Sequence, residues 1–424
     1  MRFGLLYHHQ VPRPWSADSD ERVLRESLEQ VELADRLGFD YVWAAEHHFL
    51  DEYAHSSAPE VFLAASAART RRIRLAHGIV SLPPAVNHPA RVAERLATLD
   101  LISGGRVDFG TGQGSTQHEL GAFGIDRATK REQWREAIDV VIRMLTEVPF
   151  TGHQGKWLDM PPRNVVPKPK QQPHPPLWVA CSSADTINSA ARYGMGALSL
   201  AFVTIEEARK WVESYYATLV SEECVPIGRA VNPNFSVVMP FLCHEDQETA
   251  YDRGLDGAHF FAYGFAHYYL QGEHRPGVTD LAAELAQYGE MAGFTRHLDD
   301  ATKAQLPPEL VARLESLRRG IGTPDKLREM VRAYADAGVD QIVFQAQTGA
   351  TSHEHICESL ELFAREVMPE FVDGREEREQ AKRDRLAIPI KEALSRVEVP
   401  AKDVSDYVIR TDMEQFPPTP PTAG

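Results

Sequence analysis

Short apolar runs alternate along this chain with segments in which apolar residues recur every three or four positions, the periods of a buried strand and of a helix with one covered face. Arg2-Phe3-Gly4-Leu5-Leu6-Tyr7 opens as a strand, and Pro12 and Pro14 forbid its regular continuation. A helix follows with Leu24, Leu28 and Val31 on one face, Leu37 at its end and Gly38 as its stop, before an apolar strand over 39–45. Strand, helix, strand predicts a parallel pair.

The unit repeats. Helix 60–69 leads to strand 73–82, and helix 89–101, with Val92, Leu96 and Leu99 on one face, leads through Ser103-Gly104-Gly105 to a strand over 106–114 that dissolves into glycines. Helix 131–145 comes next, then an irregular Pro-, Gly- and Lys-rich excursion over 148–176. Strand 177–181, helix 185–193, strand 196–202, helix 206–220 and strand 235–243 continue the rhythm. Residues 247–322 break it: they are too long for a barrel crossover and carry the aromatics Phe260, Phe261, Tyr263, Phe265, Tyr268 and Tyr269. Thr323 and Pro324 then start a helix that stops at Gly338, followed by strand 341–346 and helix 354–367.

Eight strands with alternating helices predict an α/β fold, a (β/α)8 TIM barrel over 1–372, with 247–322 as an inserted helical cap or lid before the last βα unit. Residues 373–424 form a C-terminal extension, with a docked helix expected over 376–387 and a partly disordered, proline-rich end at 417–421.

Charge narrows the partners. Sixty-one acidic against 45 basic residues give −16, which leaves no cationic excess for a polyanion, so nucleic acid is not expected. The apolar opening is too short for a signal-peptide core, and no run approaches the ~18 apolar residues of a membrane span. Cys181, Cys224, Cys243 and Cys357 show no CxxC or zinc spacing, which fits a reducing cytoplasm.

The chemistry concentrates where strand 39–45 stops on Glu46, His47 and His48. A rigid strand ending in ionisable groups is how a barrel presents reactive side chains at its mouth. An imidazole serves as a base near neutral pH, and a neighbouring carboxylate fixes its tautomer. His48 alternates to the other side of the strand from His47, and Glu46 serves equally well as a structural anchor. His8, His9 and His88 fall near the same mouth and are expected to line a substrate pocket. A metal-dependent barrel hydrolase is an alternative, since imidazoles and carboxylates suit zinc or iron, but adjacent His8 and His9 point oppositely on a strand, so no metal is assigned.

Further along, glycines at 112 and 114 let main-chain N–H groups approach a ring or phosphate, and Ser182-Ser183 before a helix joins hydroxyls, amides and a helix dipole. The motifs occur in order: Glu46-His47-His48-Phe49, Gly78-Ile79-Val80-Ser81-Leu82-Pro83, His88-Pro89 with Arg91 and Glu94, Leu99-Asp100 before Ser103-Gly104-Gly105-Arg106, Phe109-Gly110 before Gly112-Gln113-Gly114, Val179-Ala180-Cys181-Ser182-Ser183, and Gly322-Thr323-Pro324. In this succession the chain resembles the bacterial luciferase-like flavin monooxygenases over roughly residues 1–245 and 320–372.

The resemblance implies reduced FMN at the barrel mouth, or in some branches the deazaflavin F420. It implies a separate NAD(P)H-dependent flavin reductase, O2 addition at flavin C4a to give a peroxyflavin, oxidation of a small organic substrate, and a dimer built through early helices. It places His47, with His48 and Glu46, at the reaction centre. Gly78 and Ile79, joined by a cis peptide, would lie against the flavin ring, Gly112, Gln113 and Gly114 beside it, and Ser182 and Ser183 at the phosphate. The chain departs from luciferase where Gly112 replaces the reactive cysteine and Gln113 the adjacent phosphate-binding arginine, which speaks against light emission from an aldehyde. The alternatives kept beside the monooxygenase are an F420-dependent dehydrogenase on the same barrel and a flavin-binding protein without turnover.

Overall fold

The computed structural model describes residues 1–199, 203–270, 272–398 and 403–409. Among the described residues, eight barrel strands alternate with helices: β1 (Arg2–Tyr7), β2 (Tyr41–Ala44), β3 (Arg74–His77), β4 (Val107–Gly112), β5 (Leu177–Cys181), β6 (Gly196–Ser199), β7 (Phe235–Pro240) and β8 (Gln341–Gln345). All pair in parallel in the order β3-β2-β1-β8-β7-β6-β5-β4. Leu75 opposite Val107 and Ala76 opposite Asp108 join β3 to β4 and close the sheet into a TIM barrel. The predicted strand over 73–82 is interrupted after His77: the Gly78–Ile79 peptide bond is cis, and Val80–Ser81 resumes pairing with Thr111 and Gly112. Of the strand predicted over 196–202, positions 200–202 lie outside the described residues, as does the proline-rich end at 417–421.

Side chains partition as strand alternation dictates. Leu6, Tyr41, Trp43, Ala76, Trp178, Leu198, Val238 and Val343 fill the barrel interior, with Ile79 packed on top of them. The opposite faces of the same strands meet the helices in a larger apolar layer that includes Phe3, Leu5, Val42, Leu75, Phe109, Phe235 and Phe344. Helix α1 (Ser19–Leu37) contributes to that layer through Val23, Ser27, Gln30, Val31 and Ala34, while Leu24 is 40% exposed. The face predicted from Leu24 is therefore rotated by about one residue. The reason is a buried polar contact that a hydrophobic count passes over: Gln30 Nε2 lies 3.2 Å from His353 Nδ1 on the helix His353–Glu366.

The remaining helices are α2 (Pro59–Arg69), α3 (Pro89–Ile102), α4 (Gln117–Ala122), α5 (Lys130–Thr146), α6 (Ala184–Arg192), α7 (Ile205–Leu219) and α8 (Gln247–Tyr269), with α9 (Leu281–Tyr288), α10 (Asp300–Gln305) and α11 (Pro308–Arg318) completing the insertion. Helices α12 (Pro324–Asp336), α13 (His353–Glu366), α14 (Met368–Val372) and α15 (Arg375–Ser395) follow. Thr323 caps α12 by accepting from Lys326 N, with Pro324 in the first turn. The C-terminal helix is longer than predicted and runs through Pro389, with Leu386 and Ala393 buried on either side of it. It lies across the N-terminal end of the barrel, because its Lys382, Arg375 and Glu379 pair with Asp340, Asp40 and Arg2 at the starts of β8, β2 and β1. The opposite, C-terminal end is the mouth. Among the described residues no helix is long and apolar enough to cross a membrane.

The aromatic run of α8 packs outward onto the loop after β2. Phe260, Phe261 and Tyr268 form one cluster with Leu50, Tyr53, Ala54 and Leu281, and Tyr53 stacks on Phe261 at 5.7 Å between centroids. The buried Glu52 carboxylate accepts from the backbone N–H of Arg13 at 2.8 Å and of Leu281 at 2.6 Å, so one side chain ties the first loop and the start of α9 to the barrel rim.

Candidate active site

The chain beyond β2 emerges at the mouth, and two carboxylate–imidazole pairs form there. His47 Nδ1 lies 3.1 Å from Glu119 Oε1, and His48 Nε2 lies 3.1 Å from Glu46 Oε1. Glu119 also accepts from His48 N at 3.1 Å and from the Thr116 hydroxyl at 2.7 Å. Burial pushes the Glu119 carboxyl up, but the His47 charge and the hydrogen bonds from His47, Thr116 and His48 outweigh it and hold the pKa below the usual value. Glu119 is therefore a carboxylate at neutral pH, an acceptor only, so the neutral His47 tautomer that pairs with it carries its proton on Nδ1 and leaves the Nε2 lone pair to accept. The Tyr269 hydroxyl, from the end of α8, lies 3.4 Å from that Nε2, placed to donate to it in that tautomer.

Glu46 acts as an anchor. It is 7% exposed, accepts from Ser81 N at 2.8 Å and from Asn87 Nδ2 at 2.7 Å, and so clamps the segment that follows the cis peptide to β2. Its hydrogen bond raises the pKa of His48 above the ordinary imidazole value, and the Glu46 and Glu119 charges add to it against the opposing effect of burial.

The other predicted pocket histidines separate. His8 belongs to the mouth: its ring stacks on His47 at 5.5 Å between centroids, and Gln345 Nε2 donates to its Nδ1 at 3.0 Å. Burial, then the His47 and His9 charges, hold its pKa well below the ordinary value, so it is neutral at physiological pH. His9 turns away with φ +52° and packs edge-on against Phe62 in the helix layer, both ring nitrogens unpartnered. His88 is exposed and caps α3 by accepting from Ala90 N at 3.2 Å. Neither lines the mouth: alternation sends His9 outward, and the proline after His88 makes it a helix cap. Among the described residues no group of three or more His, Cys, Asp or Glu side chains is arranged to hold a metal ion, and the His8–His47 stack sets two imidazoles face to face instead of toward a common centre.

His9 carries a pH prediction. Burial lowers its pKa to about 3, so the unfolded chain binds the extra proton first as pH falls below the ordinary value of about 6.5. The stability due to neutral His9 is complete above about pH 6.5 and is lost progressively toward its folded pKa, by about 2–3 kcal/mol at pH 4.5. Urea midpoints from pH 8 to 4 are expected to fall less steeply in His9→Asn, which tolerates the positive φ; parallel curves would refute the assignment.

The residues expected to hold the cofactor fall at the ends of β3, β4 and β5 and in the segments that follow them. Gly78 is sealed against the interior, where a Cβ would lie 3.1 Å from Leu6 Cδ1, and the half-buried Ile79 covers Gly112, whose Cβ would come within 2.5 Å of Ile79 Cδ1. A side chain at 112 would therefore displace the Ile79 side chain from this position. Gln113 and Gly114 are half-buried, Gly114 has φ +71°, and Lys130 Nζ donates to its carbonyl at 2.7 Å. Ser182 and Ser183 are exposed at the start of α6. Ser183 and Thr186 make a reciprocal capping box, and the N–H groups of Ser182 and Ser183 both donate to Thr186 Oγ1 at 3.0 Å. Arg131 approaches the same helix, 3.7 Å from Asp185 and 3.3 Å from Ser189 Oγ.

Sequence reasoning missed Glu119, Tyr269, Thr186 and Arg131. The one local signal for Glu119 was Thr116 three residues before it, the spacing of a capped helix start. Tyr269 was legible only as one of six aromatics in the insertion.

The family model for luciferase-like monooxygenases matches residues 1–341. The oxygenase component of a flavin-dependent trigonelline monooxygenase from Acinetobacter baylyi is 27% identical over 386 residues, covering 90% of this chain and 98% of that protein. Limonene 1,2-monooxygenase from Rhodococcus erythropolis is 39% identical over 207 residues, 47% of this chain and 51% of that protein. Among solved structures, the monooxygenase RslO1 from Streptomyces bottropensis superposes with a TM-score of 0.68 at 26% identity, covering 88% of this chain and all of that one. With a closed parallel barrel, a histidine-rich mouth and a family match that spans most of its length, this chain belongs to the luciferase-like monooxygenases.

Proposed function

We propose that the protein is the oxygenase of a two-component system that receives reduced FMN from a separate NAD(P)H-dependent reductase and uses O2 to oxidise a small organic substrate. The observation that carries this reading is the hydrogen-bonded series Glu119, His47, Tyr269 at the barrel mouth, next to a wall suited to a flavin. Reduced FMN, when bound, supplies the electrons that activate O2.

The residues present fit that group. Ile79 offers an apolar face above the barrel interior, and the glycines beside it keep the backbone within reach of a flat ring. Ser182 and Ser183, at the positive end of the α6 dipole, supply hydroxyls and amides for a phosphate, and a change of the Thr186 side-chain rotamer would free the two N–H groups that now donate to its Oγ1. Arg131 at the same helix brings the positive charge that Gln113 lacks.

The chain's own work centres on one proton. Glu119 fixes His47 with Nδ1 protonated, so Nε2 takes a proton from a donor at the mouth or returns it. Tyr269 presents its hydroxyl to that nitrogen and closes the site from the insertion side. Aromatic rings of α8 and Tyr53 exclude water around His8 and His47, where Tyr53 and Phe261 lie 5.7 and 5.6 Å from the His8 ring. Tyr269→Phe keeps the stack on Phe265 at 4.6 Å but removes the donor. Loss of one hydrogen bond of about 1 kcal/mol predicts a roughly fivefold fall in kcat, measured under saturating reduced flavin; an unchanged kcat would exclude Tyr269 from the proton path.

Anaerobic equilibrium dialysis tests the cofactor. Reduced FMN is expected to bind saturably, with weaker binding in Ser183→Ala, and reduced F420 is expected not to compete. Preferential binding of reduced F420 would replace this reading with a deazaflavin dehydrogenase.

A further inference from the structure

We propose that the insertion carries a second ligand site, separate from the barrel mouth, in which Arg318, Arg319 and Lys326 bind the phosphate group of a small phosphorylated molecule. Helices α10 and α11, the segment 296–299, the start of α12 and the N-terminal half of α8 line an open cavity of about 420 Å³, in whose wall these three cations lie with Tyr251 and His297. A net charge of −16 makes such a cluster conspicuous.

The other charges at the cavity are already matched. Arg296 pairs with Glu248 and Asp252, Lys303 pairs with Glu315 at 2.8 Å, and Asp299 caps α10 by accepting from Thr302 N at 2.8 Å. The remaining three have only neutral partners. Arg318 donates to the carbonyls of Arg296, at 2.8 Å, and Thr295. Arg319 reaches the Tyr334 hydroxyl at 3.4 Å, and Lys326 donates to the Ile321 carbonyl at 2.8 Å and the Tyr251 hydroxyl at 3.2 Å.

Arg318 is the second observation. It is 7% exposed, lies within ion-pair distance of no carboxylate among the described residues, and its Nε has no acceptor. A guanidinium buried without counter-charge is costly, and an anion in the adjoining cavity supplies both charge and acceptor. Two guanidinium groups and one ammonium match a phosphate dianion, whose oxygens accept from an arginine fork and a lysine together; a single carboxylate would leave most of that charge unmatched. The cavity is larger than the phosphate alone, and the Tyr251 ring, beneath the Lys326 ammonium at 4.9 Å, offers an apolar surface for the organic part. Because the site joins α8, α11 and α12, its occupant would bind the insertion to the helix at which the barrel resumes.

Calorimetric titration of the full chain with inorganic pyrophosphate, against sodium chloride at matched ionic strength, tests the site. Saturable binding is expected, weakened at least tenfold in both Arg319→Gln and Lys326→Met and retained in Ser183→Ala. These two side chains are half-buried at the cavity wall, so the buried Arg318 is left in place, and circular dichroism with thermal melting checks that each variant folds. Equal weak heats in chloride and pyrophosphate, binding unaffected by both cavity variants, or binding lost only in Ser183→Ala would overturn the proposal.

Discussion

His47→Ala is expected to lower kcat by roughly 10²–10⁴-fold, the usual worth of a positioned acid–base group, while His88→Ala leaves kcat at the wild-type value. Both histidines fall near a strand end in the sequence, where His47 was expected at the reaction centre and His88 as lining of the pocket. In the structure His47 stands at the mouth with its tautomer fixed by Glu119, whereas His88 is an exposed cap of α3. Losing that cap costs about 0.5–1 kcal/mol of stability and touches no group at the mouth. Steady-state turnover with reduced flavin supplied in excess, together with the melting temperature of each variant, separates the two effects. Equal turnover in His47→Ala and wild type would remove His47 from the chemistry.

Glu119→Gln is expected to lower kcat by roughly 10–10³-fold, because an amide accepts or donates and no longer dictates which His47 nitrogen carries the proton. The KM for reduced flavin should change little, since Glu119 faces His47, His48 and Thr116. Stability carries a separate signature. A carboxyl whose folded pKa is depressed stabilises the fold above its unfolded value, near pH 4.3, and loses that contribution as pH falls through the folded pKa. Glu119→Gln should therefore be less stable than wild type at pH 7, with a smaller drop on acidification. Wild-type kcat in this variant would show that His47 needs no fixed tautomer.

Much of this was legible because the barrel writes itself in local signals. Gly38, Thr323-Pro324 and Gly338 punctuate helices, and the apolar runs between them are the strands. Glu46, His47 and His48 stood out because ionisable residues at the end of a buried strand conflict with burial. The partners that define their roles did not, since a contact between His47 and Glu119 spans 72 positions and leaves no periodicity. Helix α4, six residues long, is too short to show an apolar face. The same limit explains α1, where buried Ser27 and Gln30 carry the face that apolar counting assigned through Leu24. The helix expected over 376–387 continues through Pro389 with Leu386 and Ala393 buried on either side of it, so tertiary packing overrides the local preference of proline.

Reduced FMN and O2 are the proposed reactants at this mouth. Stopped-flow mixing of the anaerobic protein–FMNH2 complex with oxygenated buffer, followed by flavin absorbance, tests this assignment most directly. Reoxidation kinetically distinct from that of free FMNH2 is expected, with a changed time course in His47→Ala. Reoxidation at the rate of the free flavin, with tight binding of reduced F420 that does not respond to O2, would contradict it.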